Sequence, residues 1–258
     1  MKKNALVFMA ALSVILMATT VQAIPTSVVG LGDTTIENVQ IGYTNNPKLE
    51  NLEYWFAENG VTNKDGSAID PLTDQSQAEL FFTDETREYE IEFLGIGHAG
   101  YHSPFGVFVY NGNPYEDYDA DNMTYYDPLF VQNEVEENTT YNFMIEAGSY
   151  FGFYLDSNGR GTKLTTMVDA NPKARSKRVH NKDQYTSGLD HAIFFETNKG
   201  YTMAFEDIVG GGDVDYEDLV VNFNPTDGSG FNPTPEPGTM LLLGLGLFGA
   251  VVVRKRKK

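Results

Sequence analysis

The chain of 258 residues is 41% hydrophobic and 13% aromatic, and it contains no cysteine. It is long enough to bury a full core unaided, and a thiol nucleophile, a thiolate metal site and a disulfide framework are excluded. A net charge of −18 excludes binding to nucleic acid or anionic membrane through general electrostatics.

At the N-terminus, Lys2 and Lys3 precede an apolar run from Ala5 to Ala18 broken only by Ser13, and Val21-Gln22-Ala23 ends in a small residue. This pattern predicts a secretory signal peptide over residues 1–23, cut by signal peptidase after Ala23. An uncleaved anchor is the alternative, but the run is shorter than the ~20 residues a span needs. Residues 24–223 are then an exported domain. Between the two ends all 36 acidic residues face only 11 Lys and Arg, a net charge of −25.

Helical periodicity is scarce in the exported part. Leu49–Asn59 has apolar residues at 49, 52, 55 and 56 and predicts one short helix ended by Gly60. Elsewhere alternating or short apolar runs are broken by Gly, Asn, Asp and Pro. They predict strands at Ala78–Thr83, Glu88–Gly95, Phe105–Asn111, Thr140–Ile145, Tyr150–Asp156, Ala192–Thr197, Tyr201–Phe205 and Leu219–Phe223. Eight strands with turn signals between them imply an all-β fold, an antiparallel, jelly-roll-like β-sandwich. Asn113–Pro128 reads as an acidic, Tyr-rich loop, and Asn171–Lys182 as a basic one with Lys173, Arg175, Lys177, Arg178 and Lys182. Residues 224–238, rich in Pro, Gly, Thr and Asn, read as a linker.

Between the last two predicted strands lies E-D-I-V-G-G-G-D-V-D-Y-E-D, residues 206–218. It places Glu206, Asp207, Asp213, Asp215, Glu217 and Asp218 around three glycines. In extended chain Asp213, Asp215 and Glu217 share one side and Asp218 faces the other, unless the glycines let the loop curl. Carboxylates converging on a curled loop suit calcium, which takes about 6–8 oxygen ligands. The spacing is not that of an EF-hand. A solvated acidic turn and a catalytic carboxylate pair are the competing readings, the second disfavoured because one flexible loop seldom holds two carboxylates across a sugar.

Three other groups are weighed. Asp117, Asp119 and Asp121 have calcium-loop spacing without the glycine, so an acidic surface loop competes. His98 and His102 lie four apart among glycines and a proline, which does not build a zinc helix. His191 fits a buried hydrogen-bonding role. Esterase, metalloprotease and phosphate-loop motifs are missing, so the chain reads as non-enzymatic.

At the C-terminus, Pro235-Glu236-Pro237 precedes an uncharged run, Thr239–Val253, and five basic residues. The run covers roughly 22 Å as a helix, short of a ~30 Å hydrocarbon core unless Arg254 and Lys255 snorkel. Residues 239–258 thus predict one short transmembrane helix with its basic end inside. The three parts in this order resemble the PEP-CTERM sorting signal of Gram-negative bacteria. The resemblance implies an exosortase as partner, transient anchoring in the inner membrane, and delivery to the cell surface or extracellular matrix, in a setting of exopolysaccharide and biofilm.

A second resemblance rests on Phe205–Val221, F-E-D-x-x-G-G-G-D-x-D-Y-E-D-L-V-V, and more loosely on Phe151–Leu155 and Gly188–Phe194. These are similar to the exported bacterial domain of unknown function 4114, over about residues 140–223. Glu206, Asp207, Asp213, Asp215 and Asp218 are the family positions, while Glu217 stands where the family usually has Asn. The resemblance implies a surface protein beside adhesive or calcium-dependent modules. Adhesion or polymer organisation is the first expectation for function. A carbohydrate-binding or carbohydrate-active domain using the Tyr-rich loop 113–126 is the alternative, and extracellular polysaccharide is the partner implied.

Overall fold

The structure is a computed structural model, and it describes residues 26–31, 52–97, 101–172, 190–209 and 215–233. The signal peptide with Ala23, His98, the basic patch 173–182, Gly210–Asp213, the sorting motif Pro235-Glu236-Pro237 and the C-terminal segment 239–258 lie outside the described residues. Among the described residues no helix is long and apolar enough to cross a membrane.

Two sheets face each other. In chain order the strands are β1 (Thr26–Val29), β2 (Gln75–Ser76), β3 (Leu80–Thr83), β4 (Arg87–Gly95), β5 (Pro104–Tyr110), β6 (Met123–Tyr125), β7 (Phe130–Val131), β8 (Thr140–Ile145), β9 (Ser149–Asp156), β10 (Lys163–Thr165), β11 (Ala192–Thr197), β12 (Gly200–Phe205), β13 (Leu219–Pro225) and β14 (Phe231–Pro233). The first sheet has the order β14-β1-β3-β9-β5-β6, with β10 alongside β9 and β7 alongside β5. The second has the order β2-β11-β12-β13-β4-β8. The pairings are antiparallel except β1 with β14, which run parallel. That pair departs from the expected all-antiparallel sandwich. β14 also lies inside the stretch read as linker, and β13 runs two residues into it, so regular pairing continues to Pro233.

Period-2 alternation builds the core. β4 turns Tyr89, Ile91 and Phe93 inward, β9 turns Phe151, Phe153 and Leu155, and β13 turns Leu219, Val221 and Phe223. Phe81 on β3 meets Phe223 at 4.9 Å between ring centroids and Phe194 at 5.5 Å, so this ring bridges the sheets. Such aromatic pairs add to the stabilisation from apolar burial.

The outer face of the second sheet is covered as well. Helix α1 (Leu52–Glu58) buries Leu52, Trp55 and Phe56 against Leu94, Ile193, Phe195, Ala204 and Val220. The predicted helix over Leu49–Asn59 is therefore present within its described part. Trp55 lies flat against Gly95, where an added Cβ would fall 2.3 Å from the indole Cζ3. The register of β13 on β4 shifts between Val220 and Val221, a bulge that sets Gly95 rather than Leu94 opposite Val220, while Leu94 and Val220 both join this outer cluster.

A candidate metal centre at one pole of the sandwich

β12 and β13 form the expected hairpin, with Phe205 opposite Leu219. The carboxylates therefore emerge together at one pole, beside Gly95 of β4 and Ala192 of β11. They are not a solvated turn. Glu206 is 0% exposed, Asp207 1%, Asp215 4%, Glu217 1% and Asp218 6%.

Glu206, Asp207 and Asp218 each offer an oxygen within 4.8 Å of the others, the one such group of three His, Cys, Asp or Glu among the described residues. Asp207 N–H donates to Asp218 Oδ2 at 2.9 Å and so orients that carboxylate. Asp207 O accepts from Ser157 Oγ at 2.8 Å, and Asp218 O accepts from Gln132 Nε2. Ser157 follows β9 and Gln132 follows β7, so the first sheet reaches across to hold the loop of the second.

Asp215 and Glu217 are buried at the same pole without joining the group of three. Between them Tyr216 has φ +57, a left-handed backbone that a bulky residue seldom adopts. Its ring enters the outer apolar cluster, and its hydroxyl donates to Asp190 O at 2.9 Å. The simple alternation expected of Asp213, Asp215 and Glu217 is thus broken at Tyr216. Gly97 N–H donates to Glu217 O at 2.7 Å, and a Cβ on Gly97 would fall 0.7 Å from Glu217 Oε2. Only glycine at 97 leaves room for that carboxylate.

His191 is buried as expected. Its Nδ1 donates to Glu206 O at 3.2 Å, and burial pushes the imidazole down to about 4, so the ring is neutral at neutral pH. Burial also pushes the Asp190 carboxyl well above the usual carboxylate range. The histidine does not join the close group, so the donors there are all oxygen. That set suits a hard cation rather than zinc. Opposed ligands of calcium are separated by about twice ~2.4 Å, so oxygens all within 4.8 Å of one another can reach one such ion.

The remaining candidates do not converge. Asp119 caps a short turn by accepting from Asp121 N–H at 3.0 Å, in an exposed loop. His102 pairs with Glu134 at 3.7 Å on the surface. Tyr115, Tyr125 and Tyr126 of the Tyr-rich stretch are exposed, and Tyr125 also carries Lys163 Nζ at 5.2 Å from its ring centroid. Gln132, Ser157 and Gly97 were missed from sequence. They touch the site only through pairing of distant strands, and no local pattern marks them.

Residues 145–226 match the domain of unknown function (DUF4114). The DUF4114 segment spans β9 to β13 and contains Glu206, Asp207 and Asp218, but Gly97, Gln132 and the central strand β4 lie before it. Residues 233–257 match the PEP-CTERM protein-sorting motif, which indicates exosortase-dependent sorting of an exported protein to the cell envelope or surface. No curated protein and no solved structure shows significant similarity to the chain.

Proposed function

We propose that this is a non-enzymatic surface or matrix protein whose sandwich is closed at one pole by calcium, and that it acts in adhesion or exopolysaccharide organisation. The observation that carries the reading is the meeting of three buried carboxylate oxygens, from Glu206, Asp207 and Asp218, within 4.8 Å. Buried like charges so close raise one another's pKa or recruit a cation. Asp215 and Glu217 add charge at the same pole, and Asp213 belongs to the same loop. Burial also argues against catalysis, because a polymer substrate needs carboxylates it can reach.

The test is thermal melting of the protein against calcium concentration. A bound ion raises the melting temperature as its concentration rises. Trp55, the single tryptophan, packs on Gly95 two residues from Gly97 and serves as a fluorescence reporter of the same titration. A melting temperature indifferent to millimolar calcium, with unchanged Trp55 emission, sinks the reading. A second reading, glycan binding, is favoured by the exposure of Tyr115 and Tyr126, at 44% and 40%. Stacking on sugars needs such rings, and a glycan array with Tyr115→Ala and Tyr126→Ala as controls checks it.

A further inference from the structure

Gln132 is 0% exposed and sits in the turn just past β7, on the side of the first sheet. Its backbone N–H donates to Ser103 O at 3.0 Å, just before β5 begins. Its side-chain Nε2 donates to the Asp218 carbonyl across the sandwich. That carbonyl only accepts, so the amide is oriented with its nitrogen on the Asp218 carbonyl, and Oε1 is the atom left over beside it. Rotating the amide would bring two acceptors face to face. Oε1 is buried and meets no hydrogen-bond donor among the described residues. A buried acceptor left in that state carries its desolvation penalty uncompensated, which a hard cation would offset.

We propose that Gln132 Oε1 is a neutral ligand of the cation held by Glu206, Asp207 and Asp218. This rests on the calcium reading of that pole. Side-chain amide oxygens are ordinary calcium ligands, and a neutral one fills the coordination sphere without adding to the crowded negative charge. The ion then bonds to both sheets, the β12–β13 connection on one side and the segment after β7 on the other. Ser157 Oγ on Asp207 O and Gln132 Nε2 on Asp218 O hold the two sides in register before the ion enters.

The test uses europium(III) in place of calcium on the exported protein, with luminescence decay in H2O and D2O counting the waters on the ion. Gln132→Leu is expected to gain about one water and to bind calcium at least about tenfold more weakly. Gln132→Asn withdraws the oxygen by one methylene with less disturbance, and it gives the same water gain if the Leu variant does not fold. An unchanged water count in a folded variant overturns the ligand role, because a residue that merely positions Asp218 leaves the ion's hydration alone. Wild-type protein that binds neither ion overturns this inference together with the calcium reading.

Discussion

At one pole of the sandwich, Arg87 is buried with its side chain 2% exposed, within 3.1 Å of Asp227 and 3.6 Å of Glu85. It also donates to Thr26 Oγ1 at 3.0 Å, whose hydroxyl lies 2.8 Å from Tyr89 OH. At the other pole, eight residues along β4, carboxylates crowd carboxylates. The first pole sets its buried charge among Asp227, Glu85 and Thr26. The second brings three carboxylate oxygens within 4.8 Å of one another, and on the calcium reading an ion from solution joins them. The difference teaches where stability should depend on the medium and where it should not.

The largest effect is expected at the self-contained pole. Arg87→Met removes two charge-assisted contacts and should cost about 4 kcal/mol in urea unfolding, the same with calcium or with chelator. A calcium-dependent loss there would break the comparison.

A pH series probes a buried carboxylate outside the group of three. Burial pushes Glu79 up to about 7, although Val168 N–H and Leu31 N–H donate to its two oxygens. Its pKa is higher folded than unfolded, so the folded state binds more protons between about 4.5 and 7. Glu79 therefore weakens the fold as pH rises through that window, by about 3 kcal/mol in all. His191 acts in the opposite sense. Held near 4 when folded, it withdraws stability as pH falls below about 6.5. Urea midpoints of Glu79→Gln should thus rise relative to wild type as pH goes from 4.5 to 7. Parallel pH curves for the two proteins would contradict the assignment.

Asp218→Asn sharpens the comparison at the crowded pole by a change of sign. In chelator it relieves repulsion and should melt no lower than wild type. In calcium at 100 times the wild-type dissociation constant it should forfeit most of a stabilisation of about 2.7 kcal/mol. Differential scanning calorimetry in both buffers reads the crossing.

The smallest effect is expected at a surface pair. Lys163 lies 3.3 Å from Asp156 and 4.7 Å from the Tyr154 ring centroid, with 28% of its side chain exposed. Lys163→Met should cost less than about 1 kcal/mol. A larger loss would mean that this end of β9 and β10 is held by charge more than the carboxylate pole is.

The eight predicted strands are all present, most within a residue or two of their expected ends, because each carries its own apolar alternation. β1, β2, β6, β7, β10 and β14 escaped prediction. They are two to four residues long, too short to show a period, and they exist as strands only through the neighbour each one pairs with. The DUF4114 segment alone would lack β4, on which β13 and β8 both pair, so the matched residues are not a closed sandwich by themselves.

Sequence alone determined the β class, the sorting motif at the C-terminus and the crowding of acidic residues around Gly210–Gly212. All three are local signals, legible in a short window. Tertiary structure decided which of those acids meet. Glu206, Asp207 and Asp218 converge because Phe205 pairs with Leu219, whereas Asp215 and Glu217 are diverted by the left-handed backbone of Tyr216. It also brought in Gln132 and Gly97, which are 86 and 120 residues distant in sequence from the acids they touch. Pairing between strands so far apart leaves no trace in local periodicity, and a buried site at the end of a sandwich is made of such pairings.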